Sequence, residues 1–254
     1  MNSILSVLLI LALPVVVVAQ DAQGLMDKVN NRYVGDDALS EVTLEYTSKS
    51  GSSKEYQLRI WNIEESAGNK TLLKYTAPNF MRGSGVLVHG EDKQETLQWL
   101  YLSQAAKKEA RKISSSERGR PLFGTDIFYV DIEAKATEDF TYQQLRDEVL
   151  DGIATAVVQA VPNKSDYPYE RTISWVDPER LLELKVEYYQ DGKLLKTLTA
   201  EQTEQIEGVW TVTRSKVVSV KQGSSTVMNI DKIDYNLGLQ VDQFSFKALT
   251  AREI

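Results

Sequence analysis

Apolar and polar residues alternate with a period of two along most of this chain. In residues 41–48, Val42, Leu44 and Tyr46 share one face of an extended strand, and their neighbours share the other. Similar runs follow, bounded by the Gly, Asn, Asp and Ser clusters that are typical of turns. These runs cover residues 54–63, 70–76, 84–90, 95–103, 147–162, 171–177, 180–190, 193–200, 209–221 and 225–236. We therefore predict about ten or eleven antiparallel strands.

Two parts of the chain depart from this alternation. Apolar residues from Leu25 to Tyr33 recur at helical spacing, which predicts an N-terminal helix that ends before Gly35. The stretch between the fifth and sixth runs shows no clear period. There we predict a long loop with short helices around residues 121–132 and 140–147.

Short turns between the runs predict hairpins and one large sheet. Asp191-Gly192 is the strongest hairpin signal, and Glu207-Gly208 is a second turn. Strands twist, and an open sheet of about ten strands must curl. We therefore expect a single domain over residues 20–254, with mainly β structure of the α+β class. The concave face of its sheet has to be covered by helices or left as a cavity.

Composition narrows the classes of function. The 254-residue chain has a net charge of −7, which argues against a nucleic-acid-binding protein. It contains no cysteine, so disulfides, thiolate metal sites and an N-terminal lipidated cysteine are excluded.

The first residues have the pattern of a secretory signal. An apolar stretch ends in the small residue Ala19, after which we predict cleavage. The stretch is short for a bilayer-spanning helix, and Pro14 interrupts it. We expect a signal peptide over residues 1–19 and export of an unlipidated, soluble protein.

No catalytic motif stands out. His89 is the only histidine, so neither a zinc motif of the H-E-x-x-H type nor a Ser-His-Asp triad is supported. Glu91, Asp92 and Glu95 cluster in a turn, where solvated hairpin charge is the simpler interpretation. A hydrolase that acts through carboxylates has no supporting motif. We expect neither enzymatic activity nor a cofactor or metal ion.

Aromatic residues mark several strands. Trp61, Trp99, Trp175 and Trp210 lie on four different predicted strands. Aromatic residues that line a cavity and those that pack in a core give the same pattern, so both interpretations stay open.

A basic segment is unusual in this acidic chain. Six Lys or Arg residues fall between Lys107 and Arg120, against two glutamates. The segment follows the predicted strand with Trp99 and Tyr101. Either it is a solvated loop or it binds an anionic group.

Residues 77–132 resemble the signature block of the outer-membrane lipoprotein-sorting family, the LolA-like periplasmic carriers, in its longer branch. The block combines a glycine turn, a W-x-Y-L strand, a basic R-x-I-S-S-S segment and a G-T-D step. The matching residues are Phe80, Gly83, Gly85, Trp99, Tyr101, Leu102, Arg111, Ile113, Ser114, Ser115, Ser116, Gly119, Gly124, Thr125 and Asp126.

The resemblance implies a half-barrel: a strongly curved antiparallel sheet closed by helices over an apolar cavity that takes acylated cargo. Under this hypothesis the candidate cavity lining is Trp61, Phe80, Met81, Leu97, Trp99, Tyr101, Phe123, Phe128 and Tyr129. The candidate residues for a lipid headgroup or an acidic partner are Arg111, Lys112, Ser114, Arg118 and Arg120.

The expected function is that of a periplasmic carrier, which binds a lipid or an acylated lipoprotein and shuttles it toward the outer membrane. Expected partners are that cargo and a membrane protein, such as an inner-membrane exporter, as donor or acceptor. The alternative is a periplasmic sensor that binds a lipidated ligand and signals to a protein partner. The carrier is favoured because no additional interaction domain is evident in the sequence.

Overall fold

The computed structural model describes residues 21–65, 68–90 and 96–252. The predicted signal peptide and its cleavage site lie outside the described residues, as do Glu91, Asp92 and Glu95.

The described residues form thirteen strands and two short α-helices. The strands are β1 Asp37–Thr47, β2 Ser53–Ile63, β3 Lys70–Ala77, β4 Gly85–His89, β5 Leu97–Tyr101, β6 Arg111–Lys112, β7 Phe140–Leu150, β8 Ile153–Pro162, β9 Arg171–Asp177, β10 Leu182–Gln190, β11 Lys193–Ile206, β12 Val209–Ser219 and β13 Ser224–Tyr235. The helices are α1 Ala22–Asn30 and α2 Phe246–Thr250. Short 3₁₀ turns occur at Ser115–Glu117, Leu122–Gly124, Tyr129–Ile132, Thr137–Asp139 and Val241–Gln243.

All thirteen strands belong to one antiparallel sheet, in the order β6-β5-β4-β3-β2-β1-β13-β12-β11-β10-β9-β8-β7. Neighbours in the sheet are neighbours in sequence except at the centre, where β1 pairs with β13. The mainly β, open half-barrel that the sequence predicts is therefore confirmed.

One long connection joins the two edges of this sheet. Residues 113–139, called the strap below, lead from edge strand β6 to edge strand β7. The strap packs on β1–β5 through Ile113, Leu122 and Tyr129 and on β10 through Val130. Because one segment contacts both halves of the sheet, it crosses the concave face.

The helix predicted at residues 140–147 is wrong, because this stretch is the edge strand β7. It pairs with β8 through a two-residue turn at Asp151-Gly152, where both residues have positive φ. Pairing with β8 outweighs the helix-favouring Gln, Leu and Arg side chains of the segment. Strands β6 and β7 raise the total from the predicted ten or eleven to thirteen. Residues 121–132 hold only two short 3₁₀ turns.

The sheet buries apolar residues on both faces. On the concave face, Leu58, Tyr75 and Val86 pack beneath the strap. On the convex face, the C-terminal arm, residues 236–252, covers part of β2–β5 and buries Phe244 and Leu249. Helix α1 packs on β7–β9, and it matches the predicted N-terminal helix.

Candidate functional site: the concave face beneath the strap

The strap fills the centre of the concave face with its own apolar side chains. Leu122, Phe123 and Tyr129 pack against Tyr56 and Tyr75 of β2 and β3. The ring centroids of Phe123 and Tyr75 are 4.5 Å apart, and those of Tyr75 and Tyr56 are 5.8 Å apart. Aromatic contacts of this kind add stability beyond simple burial. The middle of the concave face is thus a packed core.

An open cavity of about 460 Å³ remains beside this core, between the strap and strands β1, β2, β12 and β13. The volume lies within the ~300–1,000 Å³ range of small-molecule sites. Much of its wall is aliphatic. These apolar lining residues include Val42, Ile60, Ile132, Met228, Ile230 and Ile233.

Polar groups lie at the end of the cavity where β1 begins. Arg32 donates from Nη1 to the carbonyl oxygen of Trp210 at 2.9 Å, and burial lowers the pKa of Arg32. Burial also raises the pKa of Glu64, which accepts a hydrogen bond from Asn69 at 2.8 Å. The cavity therefore has an apolar interior and a polar end, which is the shape of site that suits an amphiphile.

The strap is fastened to the sheet by a buried carboxylate. Asp126 accepts hydrogen bonds from Ser224 Oγ at 2.5 Å and Thr226 Oγ1 at 2.9 Å. Its backbone N–H donates to Thr226 Oγ1 at 2.9 Å. The G-T-D step of the signature block therefore anchors the strap to β13.

A buried lysine provides a second anchor. Lys196 of β11 is 2% exposed, and its ammonium group donates to Asp131 and to the carbonyl oxygen of Asp126. The ammonium lies 3.8 Å from the ring centroid of Phe128 and 5.4 Å from that of Tyr169. Burial lowers the pKa of Lys196, while the carboxylate of Asp131 opposes that change. Lys196 is not identified from the sequence as a functional or structural residue. The signal that could have identified it is the position of a lysine on the same strand face as the apolar Leu198.

Two arginines of the basic segment are paired with one of its glutamates, Glu117. Glu117 accepts hydrogen bonds from Arg111 Nη1 and from the Ser114 backbone, which lower the pKa of Glu117 to about 2. Arg120 is exposed and lies 3.9 Å from Glu117. Lys112 is exposed on β6. The structure thus brings Arg111, Ser114 and Arg120 together around one carboxylate.

Arg118 points into the protein and is separated from that cluster. Its guanidinium forms a buried bidentate ion pair with Glu133, and Gln98 also donates to Glu133. Burial raises the pKa of Glu133, and the hydrogen bond from Arg118 opposes that rise. A smaller polar pocket of about 220 Å³ adjoins this pair, and Glu133 and Ala134 line both it and the larger cavity.

The predicted apolar lining residues fall into two sets on opposite faces. Phe123, Phe128 and Tyr129 lie on the concave side within the strap, and Met81 packs against the same core. Phe80 is 63% exposed on the turn before β4.

The other set lies on the convex face. Trp61 and Tyr101 are buried there beneath the C-terminal arm, and Trp99 stacks edge-on with Phe246 at 5.0 Å. Strand alternation puts Leu97 on the same side as Trp99. None of the nine predicted lining residues, on either face, is among those that line the cavity of about 460 Å³.

The only histidine of the sequence, His89, packs against the C-terminal arm. His89 Nε2 lies 3.0 Å from the carbonyl oxygen of Phe244 and packs on Trp99, which is a structural contact. Within residues 21–65, 68–90 and 96–252, no group of three His, Asp or Glu residues is placed to hold a metal ion. No helix in those ranges has the length and apolar character needed to cross a bilayer.

Comparison with known proteins adds to this picture. A family model described as "Uncharacterized protein" matches residues 67–251, which is more than half of the chain. No curated protein matches the chain.

Several solved structures share the fold over nearly their whole length. A candidate outer membrane lipoprotein-sorting protein domain from Vibrio parahaemolyticus is 25% identical, with a TM-score of 0.85 over 91% of this chain and 98% of that one. A DUF1329 family protein from Desulfovibrio piger is 25% identical, with a TM-score of 0.84 over 90% and 97%. A LolA superfamily protein from Nitrosomonas europaea, at 21% identity and a TM-score of 0.70 over 88% and 97%, shows the same fold.

Proposed function

Because this chain belongs to the outer-membrane lipoprotein-sorting family of LolA-like proteins, we propose that it is a periplasmic carrier of acylated cargo. In this proposal the concave cavity binds the acyl chains of a lipid or lipoprotein, and the protein carries them toward the outer membrane.

The observation that carries the proposal is the cavity of about 460 Å³ between the strap and the sheet. Aliphatic side chains from three different strands converge there, including Val42, Ile60 and Ile230. A polar end and a neighbouring polar pocket leave places for a headgroup. An apolar space that the protein does not fill with its own side chains is suited to an acyl chain.

The free energies expected for burial and association of an acyl chain support reversible binding. Burial of an acyl chain contributes about 0.8 kcal/mol per methylene, so a fourteen-carbon chain contributes roughly 11 kcal/mol. Association costs ~4–15 kcal/mol. One chain therefore binds reversibly and two or three chains bind firmly, which is the range that a carrier needs if it is to load and unload.

A cavity-filling substitution tests the site. Ile230→Trp places an indole in the cavity, and we expect affinity for a fluorescent fatty acid to fall by about tenfold or more. Ile173→Trp is the matched control, because Ile173 is half-buried on the convex face of β9. Equal affinity of both variants and the unmodified protein would refute binding in this cavity.

Transfer between membranes tests the carrier role. The protein should accelerate exchange of a labelled acyl lipid between donor and acceptor vesicles, and Ile230→Trp should abolish that acceleration. Acyl lipids should also be found by mass spectrometry on protein purified from the periplasm. Binding without accelerated exchange would contradict the carrier role.

A further inference from the structure

A further pocket lies on the other side of the sheet from the concave cavity, at the tips of β3, β4 and β5. Its volume is about 610 Å³, and three basic side chains from distant parts of the sequence line it: Arg82, Lys108 and Arg252. Asn79 and Ser103 add further polar groups to the wall. The chain carries a net charge of −7, so three cations around one pocket run against its overall charge.

These cations are not neutralised within the part of the chain that the structure describes. None of the three forms an ion pair with a described carboxylate, whereas Arg111, Arg118 and Arg120 all have a glutamate partner. The three pocket cations therefore differ from Arg111, Arg118 and Arg120, whose positive charges are each paired with a glutamate.

Each lining segment is held to the sheet by a defined contact. The turn that carries Arg82 is fixed by Gly83, whose N–H donates to the carbonyl oxygen of Tyr75 at 2.9 Å. The backbone N–H of Ser103, five residues before Lys108, donates to Ser84 Oγ at 3.0 Å. The backbone beside Arg82 and that of Ser103 are therefore organised before any ligand binds, which lowers the cost of binding.

The third segment is held by a further cation behind the pocket wall. Lys74 is 4% exposed, and its ammonium donates to the carbonyl oxygens of Leu249 and Ala251, the latter at 2.7 Å. Ala251 directly precedes Arg252, and the Lys74 ammonium lies 5.5 Å from the ring centroid of Tyr101, which lines the pocket. Burial lowers the pKa of Lys74 to about 8. Lys74 therefore adds a fourth positive charge that has no described carboxylate partner.

We propose that this pocket on the convex side binds a phosphate group, carried either by a soluble phosphate ester or by a lipid headgroup. Two guanidinium groups and an ammonium group that approach from separate segments match a multiply charged, tetrahedral anion with several acceptor oxygens. A guanidinium fork can donate two bonds to such an anion at once. A singly charged carboxylate presents only two oxygens in one plane and would leave part of this donor set unused.

The test compares two variants that make the same change in net charge. Arg82→Gln, Lys108→Gln and Arg252→Gln are combined in the pocket variant. Lys54→Gln, Lys193→Gln and Lys221→Gln are combined in the control, because these three lysines are exposed elsewhere on the protein. Binding of inorganic phosphate is followed by calorimetry and by the NMR signal of the Lys74 ammonium.

We expect the pocket variant to lose at least about tenfold in phosphate affinity and the control to keep it. Phosphate should also raise the pKa of Lys74, because a nearby anion favours the charged form. This response would not arise from diffuse surface screening. No binding to the unmodified protein, or equal loss in both variants, would overturn the proposal.

A second measurement identifies the source of the phosphate group. Sedimentation with phosphatidylcholine vesicles, with and without phosphatidylglycerol, is measured in the presence and absence of inorganic phosphate. Binding that requires phosphatidylglycerol and is displaced by phosphate assigns the pocket to a lipid headgroup. Phosphate binding without vesicle binding assigns it to a soluble phosphate ester. Vesicle binding that is equal in the pocket and control variants would contradict a headgroup role for this pocket.

Discussion

Lys74 shows how one buried charge shapes this protein. It lies on β3 with its ammonium bonded to carbonyl oxygens of the C-terminal arm, and Tyr101 is the ring beside it. Two carbonyl oxygens accept hydrogen bonds from the ammonium group, but they do not cancel its charge, so burial lowers the pKa of Lys74 from 10.5 to about 8.

We predict a pH dependence of stability from this shift. The unfolded chain keeps the Lys74 proton up to higher pH than the folded protein, so folding is penalised below about pH 8. The penalty is relieved as pH rises from about 8 to about 10.5, by roughly 3 kcal/mol in the free energy of unfolding. Urea unfolding of Lys74→Met should lack this rise, whereas the exposed control Lys54→Met should retain it. Parallel profiles for the unmodified protein and Lys74→Met would contradict the prediction.

Single residues also mark the limit of sequence reasoning here. Alternation correctly groups Trp99 with Tyr101 on one strand face. It cannot tell which face becomes concave, because both faces of β2–β5 are apolar: one packs under the strap and the other under the C-terminal arm. The two faces differ only in which distant segment covers them, and that information is not local. The inward position of Arg118 could not be predicted from the sequence either, because its ion-pair partner Glu133 is fifteen residues away.

At the scale of elements, the sequence predicts turns and strands correctly where turn residues and apolar alternation indicate the same structure. The hairpins at Asp191-Gly192 and Glu207-Gly208 are confirmed, with positive φ at each of these residues. The equivalent Asp151-Gly152 turn was missed because the segment before it has helix-favouring composition. Residues 140–150 form strand β7 because they pair with β8, so tertiary pairing outweighs the local helix preference.

The strap is the element whose stability matters most for the site. We predict that Asp126→Ala loosens the strap, because it removes the acceptor for the Ser224 and Thr226 hydroxyls. Leaving buried hydroxyl groups unsatisfied costs about 1–3 kcal/mol. Hydrogen exchange should accelerate in residues 113–139 more than in β12. Glu138→Ala, which removes an exposed carboxylate from the same strap, should leave exchange unchanged. Uniform acceleration across the sheet would instead show that Asp126 supports the whole fold.

At the scale of the molecule, the fold is one long meander of local hairpins, and two features organise it. Pairing of β1 with β13 joins the halves of the sheet at the centre, and the strap joins its edges across the concave face. The strap therefore cannot move without uncovering the apolar core beneath Phe123 and Tyr129. Cargo size and strap position are thereby coupled in the proposed carrier.

This coupling predicts a dependence on chain length. The cavity of about 460 Å³ is bounded on one side by Ile132 of the strap, and we predict that a long acyl chain extends beneath the strap and displaces its residues. The chain has no cysteine, so Asp126→Cys and Ser224→Cys provide two unique thiols at the strap anchor. Bridging them with a short bifunctional thiol reagent should lower affinity for long-chain fatty acids by about tenfold or more. Short-chain analogues should bind equally in the bridged and unbridged protein. Undiminished long-chain binding after bridging would mean that the cargo enters without movement of the strap.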